Sequence, residues 1–208
     1  MFHSGLRYDK YSSSGRAVTH MNVMDAIMTR RTIRKFTQEE IKTEILRELV
    51  DAARMAAFGG NIQPLRYSII TGKGLREEVF VTTKWAGYLS DGTPKEGERP
   101  TAYIIVYSDE MVKKECMVDA GAAVTNIMLA AHEKGIGSCW IGSVNRVALR
   151  EILGTPEHLR ILYVVALGYP AQESRAVEMT DSIRYYLDGK GVLNVPKMPL
   201  SQVLLEER

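Results

Sequence analysis

Arg30-Arg31-Thr32-Ile33-Arg34-Lys35-Phe36 is a basic knot set between two helical patterns, and the rest of the chain can be read outward from it. Four cations and a hydroxyl fall within six residues, from Arg30 to Lys35. That mixture supplies charge-assisted donors at close range, which suits a phosphate. Helix boundaries on either side can add backbone N–H groups aimed at an anion. By composition alone, a solvated basic face fits the same residues. Before the knot, Val23, Ala26, Ile27 and Arg30 follow helical spacing. After it, Thr37 and Glu40 read as a capping box, which predicts a long helix with the stripe Ile41, Ile45, Leu49, Ala52 or Ala53, and Ala56. Phe58-Gly59-Gly60-Asn61 should end that helix, because paired glycines favour left-handed and turn conformations.

Farther along, β-branched and aromatic runs predict strands over 67–71, 103–107, 138–141 and 161–167. Helices are expected over 75–84 and 117–134, and from a cap at Asn145 to about Leu153. Gly72-Lys73-Gly74 reads as a turn, and residues 85–100, rich in Gly, Pro and charge, as a loop. The tail from Ala171 carries few regular signals before 199–206. Helices and strands interleave around one core, which argues a single α+β or α/β domain.

Composition narrows the function classes. The 208 residues, 45% apolar and 25% charged, can bury one sizeable core but not two ordinary ones. A net charge of +2 leaves no electrostatic footprint for nucleic acid or for an anionic membrane. No apolar run approaches the roughly 18 residues of a membrane-spanning helix. Cys116 and Cys139 make no CxxC pair, so free thiols in a reducing cytosol, and hence a cytoplasmic protein, are expected. His3, His20, His132 and His158 lack metal-ligand spacing, and no metal site is expected. Residues 1–20 have no apolar signal-peptide core and read as an arm outside the folded domain, which would occupy 21–208, with Met21 a natural start.

Two further stretches can carry chemistry. In Phe58-Gly59-Gly60-Asn61-Ile62-Gln63-Pro64 the glycines let backbone approach a ligand, while Asn61 and Gln63 offer donors and acceptors to the edge of a heteroaromatic ring. A plain helix end and turn would look the same. Gly135-Ile136-Gly137-Ser138-Cys139-Trp140-Ile141-Gly142 follows a helix and enters a strand, the reverse of a dinucleotide-binding turn, so that reading is rejected. Thr71-Gly72-Lys73-Gly74 lacks the rest of a phosphate-binding loop. Cys139 has no local base and reads as an inert buried thiol.

Taken in order, these pieces resemble the nitroreductase family. Arg30 to Phe36 is similar to its RRSxRxF opening, and Ala56 to Pro64 to its turn ending in NxQPW, with Leu65 in place of Trp. Gly135 to Gly142 is similar to its GxGxxWxG segment, and Leu167-Gly168-Tyr169-Pro170 to its GYP turn. Val195-Pro196-Lys197 with Pro199-Leu200 resembles the basic residue near its C-terminal end. The order and spacing hold from Met24 to Leu205.

The resemblance implies an α+β fold, a central, mostly antiparallel sheet wrapped by helices, in a homodimer with FMN sites at the interface. By the same resemblance, Arg30, Arg31 and Thr32 hold the phosphate and ribityl end of FMN, joined by Lys197. Arg34 lies near the pyrimidine side of the ring. Phe58, Gly59, Asn61 and Gln63 come from the opposite subunit, and Ile141 and Gly142 offer backbone groups near N5. The implied activity takes hydride from NADH or NADPH through flavin N5 to a small nitroaromatic, quinone or similar flat acceptor, in ping-pong fashion. Hydride transfer then needs no protein acid or base, and no catalytic residue is assigned. A fixed cation such as Arg34 would stabilise the negative charge of reduced flavin. Ile141 departs from relatives that carry an acid there. The loop 85–100 would face substrate, with Trp85 and Tyr88 either stacking on a flat acceptor or anchoring the loop. Other outcomes open at this point are dehalogenase-type or other specialised flavin chemistry, and a flavin storage or sensor protein.

Overall fold

The computed structural model describes residues 21–208, so the expected arm at residues 1–20 lies outside the described residues. At the centre are β2 (Ala102–Asp109) and β4 (Leu159–Gly168), apolar along almost their whole length. They read that way because both faces are covered. The sheet has the order β1-β2-β4-β3, with β1 at Leu65–Ile70 and β3 at Gly137–Ile141 on the edges, and all three pairings are antiparallel. Alternate residues point to opposite faces of a strand. Ile104, Val106, Val165 and Leu167 therefore meet α2 (Thr43–Arg54) and α4 (Met117–Glu133) through Leu46, Leu49, Ala123 and Ile127. Tyr103, Ile105, Val164 and Ala166 face the other way, onto Val79 of α3 (Lys73–Val81) and Leu149 of α5 (Arg146–Leu153). The expected α+β architecture, an antiparallel sheet wrapped by helices, is what the chain adopts.

Several local expectations hold. Asn145 caps α5 by accepting from the Ala148 N–H at 3.2 Å, and residues 85–100 form no regular element. Others need correction. Thr37 and Glu40 do not form a capping box: the Thr37 N–H donates to the Tyr169 carbonyl at 2.8 Å, and Glu40 pairs with Arg76 at 3.3 Å. No regular element forms over 37–42, and α2 begins only at Thr43. It ends at Arg54, before Phe58, and buries Leu46 rather than Ile45 most deeply. Gly72 is the cap of α3, so Gly72-Lys73-Gly74 opens a helix instead of forming a separate turn. Of the stripe in α1 (Val23–Thr29), only Ala26 is buried, whereas Val23, Met24, Ile27 and Met28 are exposed. The tail holds a second sheet in the order β5-β7-β6, with β5 at Ser174–Glu178, β6 at Tyr186–Leu187 and β7 at Leu193–Lys197. Its short strands, partly exposed and with only Leu193 and Asn194 buried, leave little alternation to read. A last turn of helix, α6, spans Leu200–Val203.

Candidate functional site

The basic knot is pinned to the sheet edge by its two apolar residues. Ile33 and Phe36 are buried, and they sit over Gly137 and Gly168, which face each other across β3 and β4. A Cβ on Gly137 would lie 2.9 Å from Ile33, and one on Gly168 would lie 2.8 Å from Phe36. Only a residue without a side chain allows that approach. Thr32 bridges Ser138 in parallel, and the Ile33 N–H donates to the Ser138 carbonyl at 3.0 Å. These contacts explain why glycine recurs in both motifs: they seat the cations beside them.

With Ile33 anchored, Arg30 and Arg31 line a cleft of about 510 Å³ together with His132, Gly135, Ser138 and Arg175. Arg31 spends part of its fork on the carbonyls of Arg30 and Met28. Arg30 Nη1 and Arg31 Nε are buried without a hydrogen-bond partner. Neither guanidinium makes an ion pair among the described residues. Burial lowers the pKa of both, and the Arg31 charge lowers that of Arg30 further. Burial, then Arg30 and Arg31, also hold His132 below its ordinary value. Thr29 Oγ1 donates its one proton to the Asp25 carbonyl at 2.6 Å, so toward His132 Nε2, 2.8 Å away, it can only accept, which suits the Nε2–H tautomer. Two adjacent cations, partly desolvated and with unused donors, are unfavourable until an anion arrives. A phosphate group fits this cradle.

From Ser138, β3 leads away to Ile141 and Gly142, about 13 Å farther at 3.3 Å per residue. Ile141 is buried; Gly142 is exposed, and its carbonyl accepts from Arg146 at 3.0 Å. Arg34 is absent from the cleft wall. Its N–H donates to Gln172 at 3.2 Å, and its guanidinium lies beside the Cys139 thiol and 4.6 Å from the centre of the Tyr185 ring. Burial pushes the Cys139 thiol up to about 11 despite Arg34, so it is inert as expected. Trp85 is an anchor, donating to Thr83 Oγ1 at 2.9 Å and packing on Phe80. Tyr88 is half exposed.

The turn after α2 is a 3₁₀ segment, Gly59–Asn61, in which Asn61 (φ 54°) and nearby Gln63 (φ 55°) take left-handed backbone. Such strain persists only where the surroundings impose it. The restraint is Asp119 in α4, whose carboxylate accepts from the Gly59 N–H at 2.9 Å and from Lys113 at 2.8 Å. Those bonds, Gly59 first, hold its pKa below the usual carboxylate range. Sequence reasoning missed Asp119; a lone acid in the apolar first half of a helix was the available signal. Asp119 and His132 stand thirteen residues apart on one helix, which is about 20 Å at 1.5 Å per residue. Within this chain, Phe58, Gly59, Asn61 and Gln63 are therefore not brought to Arg30, Arg31 and Thr32. Lys197, exposed at the end of β7, is not on the cleft wall either; Arg175 of neighbouring β5 is. Among the described residues no group of His, Cys, Asp or Glu could hold a metal, and no helix is long and apolar enough to cross a membrane.

An antiparallel sheet wrapped by helices in this order matches a known class of fold. The family model described as "Nitroreductase family" matches residues 27–169, and the chain belongs to that family. A protein of Archaeoglobus fulgidus named "Putative NADH dehydrogenase/NAD(P)H nitroreductase" is 32% identical over 163 residues, covering 74% of this chain and 89% of that protein. The "FMN reductase (NADPH)" of Bacillus subtilis is 24% identical over 172 residues, covering 74% of this chain and 68% of its own length. A crystal structure described as "a putative nitroreductase in complex with fmn", from Desulfovibrio desulfuricans, superposes with a TM-score of 0.66 at 29% identity, covering 89% of this chain and 96% of the other.

Proposed function

We propose that residues 21–208 form one FMN-binding domain, working as a homodimer that takes reducing equivalents from NADH or NADPH and delivers them to small flat acceptors such as nitroaromatics and quinones. The observation that carries this reading is the pair of partly desolvated guanidiniums, Arg30 and Arg31, with unused donors at the start of β3. When bound, FMN supplies the chemistry, accepting hydride at N5 and passing electrons on in a ping-pong cycle.

The protein's part is to bind and orient. Arg30, Arg31 and Thr32 grip the phosphate and ribityl end, while Ile141 and Gly142 border the N5 edge at the far end of β3. Arg34, set apart from the phosphate pair, stands toward the pyrimidine side, where its charge favours the reduced ring. Phe58, Gly59, Asn61 and Gln63 serve the partner's flavin. The 20 Å along α4 between that turn and the cleft supports a shared site, and so does the exposed apolar face of α1, which a second copy would cover. Lys197 reaches the phosphate only if the tail joins the assembled site.

Absorbance of the purified protein, followed by stopped-flow mixing with NADH and NADPH, tests the reading. Flavin bands that bleach rapidly with one of the two are expected. Bound flavin that barely responds would make this a storage or sensor protein, and flavin that does not bind would sink the assignment.

A further inference from the structure

Loop 85–100 is fastened at both ends of the seat assigned above to the flavin ring. At its start, Thr83 bridges Val144 and the Lys84 N–H donates to the Ser143 carbonyl at 2.9 Å, one residue beyond Gly142. At its end, the Phe36 N–H donates to the Glu98 carbonyl at 2.9 Å, and Lys35 pairs with the Glu98 carboxylate at 3.3 Å. Tyr88 belongs to the stretch in between. Its ring centre lies 5.0 Å from that of Tyr185, tilted by 52°. The Arg34 guanidinium lies over the Tyr185 ring, and that of Arg184 lies 5.5 Å from the centre of the Tyr88 ring.

The result is a row of cation, ring, ring and cation: Arg34, Tyr185, Tyr88, Arg184. Its members come from the knot, the loop and the tail, three segments far apart in sequence. Tyr88 is tilted against Tyr185 and carries Arg184 over its ring, yet it remains 51% exposed, so the part of the ring that these neighbours leave uncovered is open to the edge of a planar guest. Neither arginine of the row has a carboxylate partner among the described residues. Asp91, three residues past Tyr88, is already paired with Lys95 at 3.1 Å.

We propose that Tyr88, Tyr185 and Arg184 form the wall that receives the electron acceptor, and that they select flat aromatic rings bearing a negatively charged substituent. The rings supply a planar apolar surface, and Arg184 supplies a charge-assisted donor to a carboxylate at the guest's edge. This rests on the flavin placement above, and it adds an acceptor class to that reading. Trp85, turned into the core, takes no part.

Three measurements on the holoprotein test it. Equilibrium dialysis with benzoate reads the wall whether or not the flavin turns over. Arg184→Gln should weaken benzoate binding about tenfold. Tyr88→Leu should weaken it comparably, and Tyr88→Phe should restore it. In steady-state assays, Arg184→Gln should lower kcat/KM for 4-nitrobenzoate about tenfold relative to its neutral methyl ester. Stopped-flow reduction by NAD(P)H serves as the separate readout of the flavin assignment: its failure with wild-type protein would overturn that assignment and leave the dialysis result to judge the wall. Equal losses for the acid and its ester, unchanged benzoate binding in Arg184→Gln, or a defect confined to NAD(P)H reduction would overturn the proposal.

Discussion

Replacing Arg30 with Met separates binding from folding at the phosphate cradle. Met keeps the length and apolar stem of the side chain, so packing lost by truncation does not confuse the result. In the apoprotein, Arg30 carries a partly desolvated charge next to Arg31, an unbonded Nη1, and no ion pair among the described residues. Removing a charge held under those conditions should leave apoprotein stability unchanged or raise it by up to about 1 kcal/mol, as found where function and stability compete. With FMN the sign reverses. A hydrogen bond to a charged group contributes about 1.5–3 kcal/mol, and each 1.4 kcal/mol is about tenfold in Kd. The dissociation constant for FMN should therefore rise about ten- to hundredfold. Urea denaturation of the apoprotein and titration of FMN fluorescence quenching give the two numbers. A folded variant with wild-type FMN affinity, or an apoprotein destabilised by more than about 2 kcal/mol, would refute the reasoning and make Arg30 structural.

Arg34→Met should lower the flavin midpoint potential, by about 30 mV for each 1.4 kcal/mol of charge interaction lost, while disturbing oxidised FMN binding less. An unshifted midpoint in a spectroelectrochemical titration would defeat its placement at the ring. Gly137→Ala brings a Cβ to 2.9 Å from Ile33, which should cost about 1–3 kcal/mol and loosen FMN as the knot is displaced. Gly74→Ala, on helix α3 with nothing within 4 Å, should instead stabilise by about 0.5–1 kcal/mol; equal effects in thermal melts would contradict the close-approach argument. Burial, then the neighbouring arginines, depress the pKa of His132 from 6.5 in the folded state. As pH falls below that value the unfolded chain takes up the proton first, so apoprotein stability should hold above about pH 6.5 and decline below it. Melts of His132→Gln should show a flatter acid limb, and identical limbs would exclude His132 as the cause.

Much of the fold was legible in the chain because its signals are local. The apolar runs that became β2 and β4, the helical pattern of α4 and the Asn145 cap are each written within a few turns or a few strand residues. So were the basic knot and the spaced glycines, whose order carried the family resemblance. The same short range misled at Thr37 and Glu40, where a local capping pattern lost to a backbone bond with Tyr169, distant in sequence. Tertiary structure alone decided what lies across such distances. Ile33 over Gly137 and Phe36 over Gly168 turn a basic stretch into a cradle instead of a solvated face. Asp119 fixes the Gly59–Asn61 turn, about 20 Å along α4 from the cleft. The row from Arg34 to Arg184 joins three separate segments. Periodicity and caps report which conformation a segment prefers, because they depend on neighbours along the chain. Where a cation points, and whether any counter-charge meets it, depends on residues that only folding brings near.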